Sequence, residues 1–200
     1  CRLYFPLRNP VLKMEIGIKE YIANITKITA EKERIGAELN VAKQIQADLL
    51  PSIFPAFPGR DEFDIFASMN PAKEVGGDFY DFYFVNEDTL AFLIADVSGK
   101  GIPAAMFMMT AKTLIKSYAE SGMSVEEVFT QANAKLSEGN DSGMFVTAWM
   151  GYIDLKTGRI SYANAGHNPP LVRHGNGSYE YLKTRPGLVL AGMEGIRYRS

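Results

Sequence analysis

No proline interrupts the chain between Pro10 and Pro51, and good helix formers fill that span, with only Gly17 and Gly36 as breaks. The composition predicts one long helix from residue 11 to about residue 50. Its apolar residues Ile18, Ile22 and Ile25 recur at steps of four and three, and Ile35, Leu39, Ala42 and Leu49 continue a heptad-like seam. Ile22, Ile25 and Ile28 make two consecutive steps of three, which in a coiled coil is a stammer, a local overwinding. The charged run Glu31-Lys32-Glu33-Arg34 falls mostly outside the seam. Such a helix either packs on its own domain or pairs with a second copy. The length of the seam favours the coiled coil, so residues 1–50 are expected to form a linker or signalling helix that makes a homodimer.

After Pro51 the character changes. Pro51, Pro55, Pro58 and Gly59 punctuate a loop. Strand candidates follow at Phe63–Met69, Phe79–Val85 and Thr89–Ala95, the last so continuously apolar that burial on both faces is expected. A helix begins near Ile102-Pro103, where proline at an early position costs no hydrogen bond, with the stripe Met108, Ala111, Leu114, Ile115 and Tyr118. A second helix opens on the capping box Ser124-Val125-Glu126-Glu127 and buries Val128, Phe129, Ala132 and Leu136. Met106, Met108 and Met109 read as core filler. Further strands are expected at Met144–Ile153, Arg159–Ala165, Pro170–Arg173 and Tyr179–Leu182, separated by turns at Lys156-Thr157-Gly158 and Gly175-Asn176-Gly177. Strands, then two helices, then strands is no βαβ alternation. It predicts an α+β fold of antiparallel sheets with helices layered outside.

Charge and cysteine content narrow the function classes. A net charge of −2 gives no support for a nucleic-acid partner. The only cysteine is Cys1, so no disulfide framework exists, as suits a reducing, cytoplasmic setting. No apolar stretch is long enough to span a bilayer, and the first eight residues lack the features of a signal peptide. With no initiator methionine, the chain reads as a piece of a longer protein.

Two acidic motifs stand out: Gly76-Gly77-Asp78-Phe79-Tyr80-Asp81 and Ala95-Asp96-Val97-Ser98-Gly99-Lys100-Gly101. Each sets a carboxylate beside glycines at the edge of an apolar run. Two such carboxylates together make a hard, oxygen-rich site of the kind that holds Mg²⁺ or Mn²⁺. Alone, each has a plainer reading: Asp96 as a cap on the following helix, Asp78 as part of a strand-edge turn. An unpaired carboxylate at the end of a buried strand needs a partner, whether a metal, Lys100 or the backbone N–H groups of the glycine turn. His167 after a glycine is open to roles as general acid, metal ligand, or structural residue at the site rim, and the last is favoured because a lone histidine rarely makes a metal site. His174 is expected in an exposed turn.

In order along the chain, Glu74–Asp81, Ile94–Ala105 and Asn164-Ala165-Gly166-His167-Asn168-Pro169-Pro170 resemble the bacterial metal-dependent protein phosphatases (PPM family) of the sporulation-stage-II-E type. Glu38–Ala42 through Leu49-Leu50-Pro51 is similar to the helix leading into that domain, and the resemblance covers roughly residues 34–200. It implies a β-sandwich flanked by helix pairs over residues 51–200, with a two-metal site for Mn²⁺ or Mg²⁺. Asp96 would bridge the metals, the Val97 carbonyl would be a second ligand, and Asp78 would bind one metal. The implied activity is a serine/threonine phosphatase acting on a small phosphoprotein such as an anti-sigma factor antagonist. Asp78 and Asp96 would be catalytic through a metal-activated water that attacks phosphorus in line. No serine elbow or second cysteine offers a covalent nucleophile. The helix would connect the domain to an upstream sensor or membrane module.

The chain departs from the family where relatives carry a later Asp-Gly segment and an Asp-Asp pair. Both would lie past Ser200, with the C-terminal part of the sandwich. Some relatives have histidine where Lys100 stands. The alternative to an enzyme is a catalytically incomplete phosphatase-like module that binds a partner or dimerises.

Overall fold

A computed structural model describes residues 8–71, 74–183 and 185–200. The chain divides into two compact units, Cys1–Ala42 and Lys43–Ser200. Helix α1 runs Arg8–Asp48, close to the span expected from its proline-free sequence. Along the first unit, Ile18, Ile22, Ile25, Ile28 and Ile35 stay exposed. Ion pairs one turn apart, Glu15–Lys19 and Arg34 with Glu31 and Glu38, occupy other positions and add a few tenths of a kcal/mol each. This helix therefore carries an apolar seam that it does not bury itself.

In the second unit, strands β1 (Phe79–Asn86), β2 (Thr89–Val97), β3 (Val146–Asp154) and β4 (Ile160–Ala165) form one antiparallel sheet in sequence order. Helices α2 (Ile102–Glu120) and α3 (Val125–Ser137) intervene between β2 and β3. Strands β5 (Leu171–Arg173) and β6 (Tyr179–Tyr181) make a separate exposed hairpin, with His174 in its turn. The expected α+β class stands. The α3 capping forms as its sequence requires, with the Ser124 backbone N–H and hydroxyl both donating to Glu127 Oε2.

One face of the sheet packs on the helices. Phe79, Leu93, Ala95, Val97, Val146, Ala148 and Met150 meet Met108, Ala111 and Ile115 of α2 and Val128, Phe129 and Ala132 of α3. Asp81 also points into this face, where its carboxylate takes the Lys112 ammonium at 2.5 Å. Both side chains are nearly sealed from solvent, so the second aspartate of the first acidic motif is a core ion pair fastening α2 to β1.

Two expectations fail here. Strand β2 is sealed along one face and covered only in part along the other: Ala91, Leu93, Ala95 and Val97 face the helices, whereas on the opposite face Leu90 is buried and Phe92 half-buried but Ile94 is 52% exposed and Asp96 is open. The helices cover a single face of an antiparallel sheet, which suffices to hold it. The second correction is that Phe63–Met69 forms no ladder, although its burial alternates residue by residue as a strand's would. Among the described residues no neighbouring strand supplies hydrogen bonds to it, so the segment is extended without being paired. Nearby, Phe54, Phe57 and Phe63 pack on Phe82 and Phe84, the outward residues of β1.

Candidate active site

The pairing of β1 with β2 decides where the acidic motifs meet. Phe79 lies opposite Ala95, so continuing the antiparallel register by one and two residues sets Asp78 opposite Asp96 and Gly77 opposite Val97. Both aspartates then fall on the face turned away from the helices. Asp96 in turn lies opposite Thr147 on β3. Asp78, Asp96 and Thr147 thus form a row across three adjacent strands at one end of the sheet.

Gly77 is what lets the strands close. A β-carbon there would sit 2.8 Å from the Val97 carbonyl oxygen and 2.9 Å from the Val97 β-carbon, inside contact distance. Only glycine permits this approach, which brings the Val97 carbonyl beside the first motif. Behind it, Gln46 grips the loop with its side-chain amide. Gln46 Nε2 donates to the Gly76 carbonyl at 2.6 Å, and the Gly76 N–H donates to Gln46 Oε1 at 3.0 Å. Gln46 is 2% exposed. The Tyr80 hydroxyl adds a bond to the Pro51 carbonyl at 2.6 Å.

The two carboxyls face each other across the β1–β2 pairing, so the charge on Asp78 makes ionisation of Asp96 more costly. Although the Asp96 residue is open to solvent, partial sheltering of its carboxyl, the close approach of Asp78 and that neighbour's charge push Asp96 up to about 6. Asp96 makes no ion pair with Lys100 among the described residues. Nor does it cap the next helix, whose N-cap is Gly101 with no side-chain cap bond. The plainer sequence reading of Asp96 is therefore excluded. Ser98 is also engaged: its Oγ accepts from the Phe145 N–H at 2.9 Å, and its own N–H donates to the Phe145 carbonyl at 2.8 Å.

His167 reaches the same site. The Asn164 side chain clamps its backbone, accepting from the His167 N–H at 2.7 Å and donating to its carbonyl at 3.0 Å. Gly166 just before it has φ +72°, and a β-carbon there would meet Val189 at 2.8 Å. The imidazole Nδ1 lies 2.9 Å from Thr147 Oγ1. Burial pulls the pKa of the ring down, while the Asp78 charge and the Thr147 backbone push it up. His167, Asp78, Ser68, Asn70 and Tyr80 line one cavity of 310 Å³. His174 sits in the exposed hairpin, 3.4 Å from Glu180.

The structure thus joins Asp78, Asp96 and Val97 as the motifs anticipated, and adds His167. It also contributes Gln46 and Thr147, which sequence reasoning passed over, and gives a task to Asn164, which the sequence offered only as a member of the third motif. Asn164 three residues before His167 is the one signal that was available, a spacing that lets an amide grip a backbone turn. Two carboxylates and a carbonyl offer hard oxygen donors, and the mutual repulsion of the pair would be relieved by a cation. Among the described residues, no group of three or more histidine, cysteine, aspartate or glutamate side chains could hold a metal ion. The donor set fits a hydrated, loosely held hard cation.

Comparison with known proteins places this arrangement. The family model for stage II sporulation protein E (SpoIIE) matches residues 86–200. The phosphoserine phosphatase RsbU of Bacillus subtilis (strain 168) is 30% identical over 168 residues, 84% of this chain and 49% of that relative. Protein IcfG of Synechocystis sp. is 31% identical over 205 residues, 89% of this chain and 31% of its own length. The chain therefore spans half or less of these curated relatives. Among solved structures, the SiaA-PP2C domain of Pseudomonas aeruginosa superposes with a TM-score of 0.67 at 21% identity, covering 85% of this chain and 66% of that one. The PP2C phosphatase domain of SpoIIE from Bacillus subtilis gives a TM-score of 0.54 at 20% identity, over 62% of this chain and 36% of that one. At such identities the structures establish a shared fold.

Proposed function

We infer the function from one established premise: this chain belongs to the SpoIIE family. We propose that residues 51–200 form a PPM-type phosphatase domain and residues 1–50 its input helix. The domain hydrolyses phosphoserine or phosphothreonine on a small regulatory protein such as an anti-sigma factor antagonist. The observation that carries this is the row of Asp78 opposite Asp96, closed by Gly77 against the Val97 carbonyl.

Asp78, Asp96 and the Val97 carbonyl would hold Mn²⁺ or Mg²⁺. Bound there, a divalent ion supplies a field that acidifies water and neutralises phosphoryl charge. The chain's own residues do the rest. Gly77 brings the Val97 carbonyl into line with the carboxylates. Gln46 fixes the loop two residues before Asp78. Ser98, whose Oγ accepts from the Phe145 N–H, holds the second motif in place. Mn²⁺-dependent release of phosphate from a phosphoseryl peptide tests the proposal. Wild-type protein that stays inactive with either ion, while the acidic pair binds that ion, overturns it.

A second reading, a phosphatase-like module that only binds or dimerises, is supported by the lack of a third acidic or histidine ligand among the described residues. It expects partner binding without turnover. Either way, the exposed isoleucine seam of α1 supports a homodimer through that helix. Sedimentation should show a dimer that becomes a monomer when residues 1–45 are removed; an unchanged dimer refutes this. No helix among the described residues is long and apolar enough to cross a membrane.

A further inference from the structure

We propose that Asn133, on the inner face of α3, is a positioning residue of this site. It clamps the turn at Val189–Gly192, and that turn sets where the Asn164–His167 loop and the Thr147 end of β3 stand beside the acidic row. The functional part of the inference rests on the phosphatase reading above.

The starting point is a polar residue that the core does not need. Asparagine is a poor residue for a helix interior, and its amide is costly to bury without partners. Asn133 is nevertheless fully buried, on the same helix as Val128, Phe129 and Ala132. Packing alone would be served by an apolar side chain. The amide instead holds backbone from 58 and 60 residues away: Oδ1 accepts the Ala191 N–H at 2.9 Å, and Nδ2 donates to the Met193 carbonyl at 3.0 Å. The Tyr198 hydroxyl braces the same turn, lying 3.4 Å from Asn133 Oδ1 and 3.2 Å from the Val189 carbonyl oxygen.

The turn so held is strained. Ala191 has φ +60° and is the only non-glycine residue with positive φ among the described residues. A residue with a β-carbon keeps that conformation only where its surroundings impose it. Gly192 closes the turn by donating to the Val189 carbonyl at 3.3 Å, and a β-carbon at Gly192 would lie 2.6 Å from Val189 Cγ2.

On its other side the turn supports the site. Leu190 exchanges two backbone hydrogen bonds with Val146, at 2.8 and 2.9 Å, and Val146 precedes Thr147, the residue opposite Asp96. Val189 Cγ1 would lie 2.8 Å from a β-carbon on Gly166. Two residues earlier the Gly187 N–H donates to the Asn164 carbonyl at 2.7 Å, and the Asn164 side chain in turn holds the His167 backbone. A continuous run of hydrogen bonds and close contacts thus leads from α3 to the His167 wall of the cavity. The opposite wall has other supports: Gly77 and Gln46 set Asp78 against the Val97 carbonyl. The two halves of the site should therefore respond separately to substitution.

The test has two arms on the full chain, each run on Asn133→Ala and on the milder Tyr198→Phe. Ile115→Val, in the core on α2, is the control for lost packing. The first arm is native-state amide exchange of the metal-free protein. We expect His167, Gly187 and Val146 to exchange about 10-fold or more faster than in wild type, while Leu93 and Met150 in mid-sheet keep their protection. Loosening confined to residues 189–193, loosening spread evenly over the sheet, or the same local pattern in Ile115→Val overturns the proposal. The second arm assays the Mn²⁺-loaded proteins on a phosphoseryl peptide and measures Mn²⁺ binding by calorimetry. We expect kcat to fall about 10-fold or more with Mn²⁺ affinity unchanged, since a small displacement of a positioned group suffices for such a loss. A rate that holds, or an affinity that falls with the rate, overturns the positioning role and leaves the phosphatase reading intact. An inactive wild type sinks that reading, and the exchange arm then decides the coupling by itself. Should Asn133→Ala fail to fold, Tyr198→Phe carries both arms.

Discussion

Replacing Asp96 by asparagine should make the metal-free protein more stable while removing its activity. Asp96 is pushed up to about 6 by partial sheltering and by Asp78. In the unfolded chain an aspartate titrates near 3.9. Between those values the folded state holds more proton than the unfolded state, so stability falls as pH rises through the window from about 4 to about 6. Above it, both states are ionised and the penalty is constant. For a fully sheltered carboxyl that penalty would approach about 3 kcal/mol at 1.36 kcal/mol per pH unit. Asp96 is open to solvent, and screening reduces the expected figure to about 1 kcal/mol. Asparagine keeps the size and removes the charge. In EDTA at pH 7, Asp96→Asn should melt about 2–4 °C above wild type, and the two curves should converge near pH 4. Added Mn²⁺ should raise the wild-type melting temperature and leave the variant where it was, with no phosphatase activity remaining. Thermal melts from pH 4 to 8, with and without metal, decide the matter. An Asp96→Asn protein no more stable than wild type at pH 7, with a gap that does not change with pH, would refute the repulsion argument. Retained activity would rule out the role of Asp96 in holding the ion.

Three other substitutions probe the supports of the site. Gly77→Ala places a β-carbon 2.8 Å from the Val97 carbonyl oxygen, so it should cost about 1–3 kcal/mol in chemical denaturation and weaken Mn²⁺ binding measured by calorimetry. Gln46→Ala strips both partners from the Gly76 backbone and should lower stability by about 1–3 kcal/mol, with faster amide exchange at residues 76–78. Lys112→Ala leaves the buried Asp81 charge unpaired and should cost about 3–5 kcal/mol in urea, whereas Asp81→Leu with Lys112→Met should restore most of it. A double variant as unstable as the single one would show that the pair is needed for more than mutual neutralisation.

Much of the architecture was legible because it follows from local rules. A proline-free run gave the helix, Pro103 and the Ser124 capping box gave the starts of α2 and α3, and β-rich runs between turns gave all six strands that pair. The acidic motifs could be read as a pair only through family resemblance, since bringing Asp78 opposite Asp96 depends on a register fixed by the turn between β1 and β2. Burial was the weak point. An apolar run such as Leu90–Ala95 looks alike whether one face or two are covered, and Phe63–Met69 has a strand's alternation without a partner. The tasks of Asp81 and Gln46 were out of reach because their partners, Lys112 and Gly76, lie 31 and 30 residues away. Nothing in either local sequence announces the contact.

The opposed directions of Asp78 and Asp81 bear on how this segment can change over evolution. Their spacing is odd, so one strand sends the first to the open face and the second to Lys112. Loss or gain of a single residue between them would give both carboxylates the same parity. Either the α2 ion pair or the pairing with Asp96 would then be lost, along with the alternation of Phe79 and Tyr83 against Tyr80 and Phe82. Length variation in descendants of this chain should therefore gather in the turns and the β5–β6 hairpin, and the interval from Asp78 to Asp81 should keep its length even where its aromatic residues are exchanged.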